Sequence, residues 1–183
     1  MNKNKTMMIF FVASEAFFFL ALIISYVAYS HPGGTLSSSA KYLDYKRTAV
    51  FTFFLISSSV TIAIAESKLR QGKRKALIGW MITTIVFGLI FLIGQLTEYY
   101  GLYEMNITVS KNVFGSAFFT LTGFHGLHVL IGLIVLGIVT ALILRGKFKP
   151  EERNVLETTA IYWHFVDAVW IVVFSVVYIG AII

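Results

Sequence analysis

The sequence predicts an all-α, polytopic membrane protein: a bundle of five transmembrane helices in one membrane domain spanning residues 1–183. Three observations carry this expectation. Of the residues, 57% are hydrophobic and only 13% charged, about half the charged share of an ordinary soluble domain. The apolar residues gather into five runs, approximately 7–29, 48–66, 76–98, 113–144 and 158–183, each close to or above the ~20 residues that cross a ~30 Å hydrocarbon core as a helix. The basic residues gather between these runs rather than within them.

Backbone amides find no water in the bilayer core, so runs of this length must be helical, and there is no ~10-residue alternation of the kind a barrel shows. The first run follows Lys3 and Lys5 as a signal peptide would, but it is long, contains Glu15 and lacks a convincing cleavage site, so it reads as a retained helix. In the second run Ser57, Thr61 and Ala65 recur every fourth residue and form a small-residue stripe suited to close helix approach. The connection Arg70–Lys75 is tight and basic, and residues 31–39 form a turn-rich link on the other side.

Loop charge sets the expected orientation. Lys3, Lys5, Lys68, Arg70, Lys73, Arg74, Lys75, Arg145, Lys147, Lys149 and Arg153 fall on one side, eleven in all, against Lys41, Lys46, Arg47 and Lys111 on the other, which are four. The positive-inside rule then puts the N-terminus inside and the C-terminus outside. Tyr26, Tyr29, Tyr99, Tyr100 and Tyr103 are expected near the outer interface, and Trp80, Tyr162 and Trp163 near the inner one.

Composition also excludes chemistry. With no cysteine, disulfides, thiolate metal sites, iron–sulfur clusters and cysteine nucleophiles drop out together. The net charge of +6 resides in topological loops, so it gives no reason to expect nucleic acid as a partner. Walker A, dinucleotide-binding and Gly-x-Ser-x-Gly fingerprints are missing from the sequence. Four histidines, one of them His31 in a loop, are too few for a haem–copper reaction centre in this chain alone.

Ionisable groups inside a membrane cost about 2.5–3.5 kcal/mol each on insertion scales, so each needs a partner or a purpose. Glu15 lies about 12 Å along the first helix at 1.5 Å per residue. His125 and His128 share one face of the fourth helix, and His164 and Asp167 one face of the fifth, each pair spaced i, i+3. His164 and Asp167 fall at a depth similar to Glu15, which makes a carboxylate–imidazole cluster between helices geometrically feasible. For the His pair three readings stand: hydrogen bonding that fixes helix register, aided by Gly123 and Gly126; proton handling; and a metal or haem site. For Glu15 a hydrogen-bonded structural carboxyl and a role in proton movement are both open, and for Asp167 a buried structural pair is the preferred reading. Glu66 and Glu98 are expected in solvated positions at helix ends. Arg145 and Lys147 read as topology determinants at an interface that also holds lipid phosphates.

Several segments together resemble subunit III of haem–copper cytochrome oxidases: Ala13-Ser-Glu-Ala-Phe-Phe-Phe19, Gln95-Leu-Thr-Glu-Tyr-Tyr100, Phe114-Gly-Ser-Ala-Phe-Phe119, Gly123-Phe-His-Gly-Leu-His-Val129 and Tyr162-Trp-His-Phe-Val-Asp-Ala-Val-Trp170. Their order matches too, and the resemblance spans nearly the whole chain in the short five-helix form. It implies a non-catalytic core subunit beside subunits I and II, with a small subunit IV as a further partner. Haem and copper would reside in those partners, none in this chain. It implies support of proton uptake, protection of the reaction centre during turnover, bound phospholipid, and cytochrome c or quinol as donor to the complex. On this resemblance Glu15 takes the family's membrane-embedded glutamate, His125 and His128 its two histidines, and Glu157, His164 and Asp167 its last-helix polar residues. Arg145 and, beside it, Lys147 are the lipid-headgroup candidates. The seven-helix form has two further N-terminal helices that build a lipid cleft, and this sequence begins near that form's third. Five helices favour a bacterial plasma membrane. Two rivals remain on the residues alone: a small proton or cation transporter using Glu15, His128 and Asp167, and a metalloenzyme using His125, His128, His164 and Asp167.

Overall fold

The computed structural model describes residues 3–30, 43–110, 113–146 and 153–180. Among these, five helices are long and apolar enough to cross a membrane, and there is no strand. They are α1 (Lys3–Ser30), α2 (Tyr45–Arg70), α3 (Arg74–Glu104), α4 (Val113–Leu144) and α5 (Arg153–Phe174), the last continued by a π turn, Ser175–Ile179. The 31–39 link, Lys41, Lys111, Lys147 and Lys149 lie outside the described residues.

The fourth run and α4 coincide, whereas the described helices otherwise extend a few residues past the apolar runs, because helix geometry continues through the interface once the hydrocarbon ends. What stops them is local. Asp44 caps α2 by accepting from the Arg47 backbone N–H at 3.2 Å. At its other end Gly72 takes φ +69°, Lys73 N–H donates to Lys68 O at 3.0 Å and Gly72 N–H to Leu69 O at 3.1 Å, the paired bonds of a Schellman stop. Asn106 repeats that device after α3 at φ 60°, with Ile107 N–H on Leu102 O at 3.0 Å. Both Ile107 and Leu102 are buried, supplying the apolar contact that accompanies such a stop. The α4 carbonyls are met from outside the helix: the Arg74 guanidinium donates to Ile143 O at 2.6 Å and Leu144 O at 3.2 Å, where the negative helix end favours a cation.

In the bundle α2 packs along α3, α3 against α4, and α4 against α5, while α5 also touches α1 and α2 and so holds the centre. The largest buried side chain of that centre is Trp163, fully enclosed. Its ring fits a notch between Gly88 of α3 and Gly132 of α4, where an added Cβ would come within 2.8–2.9 Å and 2.7 Å of neighbouring carbons. Its indole N–H donates to Ser58 Oγ at 2.9 Å, and Trp170 N–H likewise to Thr52 Oγ1 at 2.9 Å. Each aromatic thus fills space with its body and satisfies its polar edge on α2.

Two sequence expectations are corrected here. The stripe of α2 that meets its neighbours is Thr48, Thr52, Leu55, Ser58, Thr61, Ile62 and Ala65; Ser57 is off that face and bonds back to Phe53 O at 2.7 Å. Tyr162 and Trp163 pack into the core of the bundle rather than at its surface, and Tyr26, near the end of α1, is buried as well, while Tyr100 and Tyr103 are exposed. α1 is the least enclosed helix: Phe10 and Phe17 are 73% and 74% exposed, so most of its apolar surface faces outward.

Candidate functional site

Most of the polar groups that sequence singled out fall into separate clusters that tie helices together. Glu15 Oε2 of α1 stands 3.1 Å from His128 Nε2 of α4. The other ring nitrogen, Nδ1, is 2.7 Å from the Phe124 carbonyl. A carbonyl only accepts, so Nδ1 carries hydrogen. Either imidazolium donates from Nε2 to a carboxylate, or a protonated Glu15 donates to a neutral ring; in both states one proton lies between Oε2 and Nε2. The His128 ring also packs edge-on to Phe19, centroids 5.0 Å apart, and Tyr162 Oη of α5 donates to His128 O at 3.0 Å. Glu15 therefore pairs across to α4 rather than with the α5 residues expected at its depth.

His164 and Asp167 face α2 instead. Ser59 Oγ is 3.0 Å from His164 Nδ1 and donates to Asp167 Oδ2 in a short hydrogen bond. With the Ser59 proton on Asp167, His164 Nδ1–H must supply the second contact, giving a His–Ser–Asp relay across two helices. Asp167 is 3% exposed and its Oδ1 has no partner among the described residues.

His125 departs from the hydrogen-bonding expectation. It is fully buried, with neither ring nitrogen partnered among the described residues, and lies among Trp170, Phe91 and Phe19 at centroid distances of 4.7, 5.8 and 6.4 Å. The i, i+3 spacing was right about the face, but His125 points to the aromatic centre while His128 points to α1. Beside it Gln95 Nε2 donates to Thr122 O at 2.7 Å and to Tyr99 Oη at 3.0 Å, and Tyr99 Oη meets Thr122 Oγ1 at 2.8 Å. Gly126 leaves room for this Gln95 side chain, whose Oε1 would be 3.0 Å from an added Cβ, whereas Gly123 has Tyr99 Oη no nearer than 3.8 Å.

Two further carboxylates are tied down. Glu157 receives Lys5 Nζ at 2.6 Å, joining the starts of α1 and α5. Glu98, expected to be solvated, accepts from Tyr178 Oη at 2.7 Å and Thr48 Oγ1 at 3.2 Å. Arg145 is exposed just beyond α4, and Lys147 lies outside the described residues. Ser59, Tyr178 and Thr48 were not singled out by sequence, since hydroxyl residues in apolar helices are common and their partners lie 50 to 108 residues away.

The donor sets do not converge on a common point. Among the described residues no group of three or more His, Asp or Glu side chains could hold a metal ion: the four residues of the metalloenzyme rival are divided between the Glu15 pair, the Ser59 relay and the aromatic cage.

Five membrane-length helices, with the Trp163 indole seated in a notch between two glycines and with polar pairs that bridge neighbouring helices, define a polytopic membrane subunit. The family model for cytochrome c oxidase subunit III matches residues 2–182. Curated relatives include the cytochrome c oxidase subunit 3 of Corynebacterium diphtheriae, 36% identical over 173 residues covering 93% of this chain and 84% of the relative. The probable cytochrome c oxidase subunit 3 of Mycobacterium leprae is 37% identical over 168 residues, covering 91% and 83%. The cytochrome bo(3) ubiquinol oxidase subunit 3 of Pseudomonas putida is 33% identical over 171 residues, covering 92% and 82%. The chain belongs to the cytochrome c oxidase subunit III family, and is thus a subunit of a haem–copper oxidoreductase complex.

Proposed function

We propose that this chain is the non-catalytic core subunit III of a proton-pumping terminal oxidase in aerobic respiratory electron transport, lying with subunits I and II, and a small subunit IV, in a bacterial plasma membrane. The observation that carries this reading is the family match over residues 2–182. Haem and copper belong to the partner subunits, and oxygen is reduced to water there. This chain, one membrane domain with its N-terminus inside by the eleven-to-four bias of Lys and Arg, acts indirectly. The Glu15–His128 pair, the Asp167–Ser59–His164 relay and the Lys5–Glu157 ion pair fix α1, α4, α5 and α2 in register, and the rigid bundle supports proton entry into the catalytic subunit. Lipid phosphate at Arg145 and Lys147 is part of the same reading. Cytochrome c is the proposed donor to the complex, with quinol the alternative favoured by the ubiquinol oxidase relative.

Purification in mild detergent through a tag on this chain tests the assignment. Haem absorption, copper and the two redox subunits are expected to co-purify, and the preparation to oxidise reduced cytochrome c. Oxidation of quinol alone would move the donor to the alternative. A chain that emerges by itself and colourless in several detergents would contradict membership of an oxidase complex and return the ion-transporter reading.

A further inference from the structure

A cavity of about 140 Å³ opens between the start of α2 and the end of α3, lined by Asp44, Arg47, Thr48, Thr97 and Glu98 with Phe51 at its inner side. Because α2 and α3 are joined by the Gln71–Lys73 turn at their other ends, this cavity lies where the pair leaves the hydrocarbon. It is also at the opposite end of the bundle from Arg145, since α4 starts on the side where α3 finishes.

Its charges are oddly placed for a helix start. Lys46 and Arg47 occupy the first turn of α2, which holds no acidic residue, where the positive helix end repels cations. They also belong to the basic-poor side of the chain. Arg47 Nη2 donates to Thr97 Oγ1 at 3.3 Å, and among the described residues Arg47 makes no ion pair within 4 Å. A guanidinium has five N–H donors in a fork suited to phosphate oxygens. Lys46, the neighbouring residue, stands 6.0 Å over the Tyr45 ring and does not line the cavity. Two carboxyl groups, Asp44 and Glu98, face the same space. A simple anion would meet those carboxyls and a simple cation would meet Arg47, so the lining suits a ligand carrying both signs a few ångströms apart.

Below the charges the surface turns apolar. Phe51 lies directly over Gly94, and Phe54, one turn further in on the same face, packs against Phe87 of α3 at 5.5 Å. These three rings are half-buried and form a seam running from the cavity into the membrane span. We propose that the cavity holds the phosphoethanolamine headgroup of a phospholipid, with phosphate oxygens on Arg47, the primary ammonium on Asp44 and Glu98, and an acyl chain along the Phe51–Phe54–Phe87 seam. The ammonium donates hydrogen bonds to the carboxyls, which the methyl groups of a choline headgroup cannot do. The site therefore distinguishes ethanolamine from choline lipids.

The test uses the intact complex purified through this chain, stripped of lipid by detergent exchange and offered dioleoyl phosphatidylethanolamine, phosphatidylcholine or phosphatidylglycerol in micelles, with retained lipid counted by native mass spectrometry. The ethanolamine lipid is expected to be retained on this chain in preference to the other two. Arg47→Gln and Asp44→Asn should each weaken retention by about tenfold, the size of a lost charge-assisted hydrogen bond, and Arg47→Lys less. Asn caps a helix as well as Asp does, so Asp44→Asn removes the charge with α2 intact and carries the test if Arg47→Gln fails to assemble. Equal retention of ethanolamine and choline lipids, or unchanged retention in Asp44→Asn, would overturn the proposal. Free phosphoethanolamine should compete only weakly, because it lacks the seam contact; displacement of the lipid by equimolar free headgroup would overturn the lipid as occupant.

Discussion

Trp163→Ala is expected to destabilise the bundle by about 3–5 kcal/mol, the range for truncating a large buried aromatic. The indole is fully enclosed between Gly88 and Gly132 and donates to Ser58, so the substitution empties a cavity on three helices and removes the donor to a buried hydroxyl that keeps its own bond to Leu55 O. Gly132→Val attacks the same notch from the other side. Its added Cβ would stand 2.7 Å from the Trp163 ring, and overpacking of this kind costs about 1–3 kcal/mol. The two changes share one space, so they should be non-additive, the valine being tolerated once the indole is gone. Denaturant or thermal unfolding of the solubilised protein, with both single variants and the double, reads this directly. Additive losses would show that Trp163 is not what the two glycines accommodate.

Tyr178→Ala is expected to cost a comparable amount, about 3–5 kcal/mol. Tyr178 is buried in the π turn, stacked on Phe174 at 5.1 Å and near Trp170 and Phe118, and its hydroxyl donates to Glu98. Tyr178→Phe keeps the ring and removes the donor, so its cost should fall to about 1–3 kcal/mol, the penalty for an unpaired buried polar group. The same unfolding measurement separates the two contributions. A phenylalanine variant as unstable as the alanine variant would put the stabilisation in the hydroxyl and not in the packing.

Helix number and type were legible in the sequence because the cost of unpaired backbone in lipid leaves long apolar runs few alternatives. The i, i+3 spacings also found the right faces: His128 does reach another helix, and Asp167 and His164 do share a partner. Which partner was not legible. Glu15 and Asp167 lie at similar depth, and depth alone cannot distinguish a neighbour on α4 from one on α5; only the rotation of each helix does. Ser59 and Tyr178 went unnoticed because a hydroxyl in an apolar helix has no local pattern. Tyr162 and Trp163 were expected at an interface because indoles and phenols suit both membrane interfaces and cores that offer them an acceptor, and it is the glycine notch and the His128 carbonyl, on other helices, that decide. For His125 the residue type left hydrogen bonding, proton handling and metal ligation open, whereas its surroundings are aromatic rings contributed by α1, α3 and α5.

The central claim is that this bundle sustains an oxidase without carrying out its chemistry, and a turnover progress curve tests it most directly. The complex purified with this chain and the complex depleted of it would be compared under continuous oxygen reduction at equal haem content. The account predicts a redox centre that is still active at the outset in the depleted complex, followed by a progressive loss of rate that the complete complex does not show. Full activity maintained through prolonged turnover without this chain would contradict it.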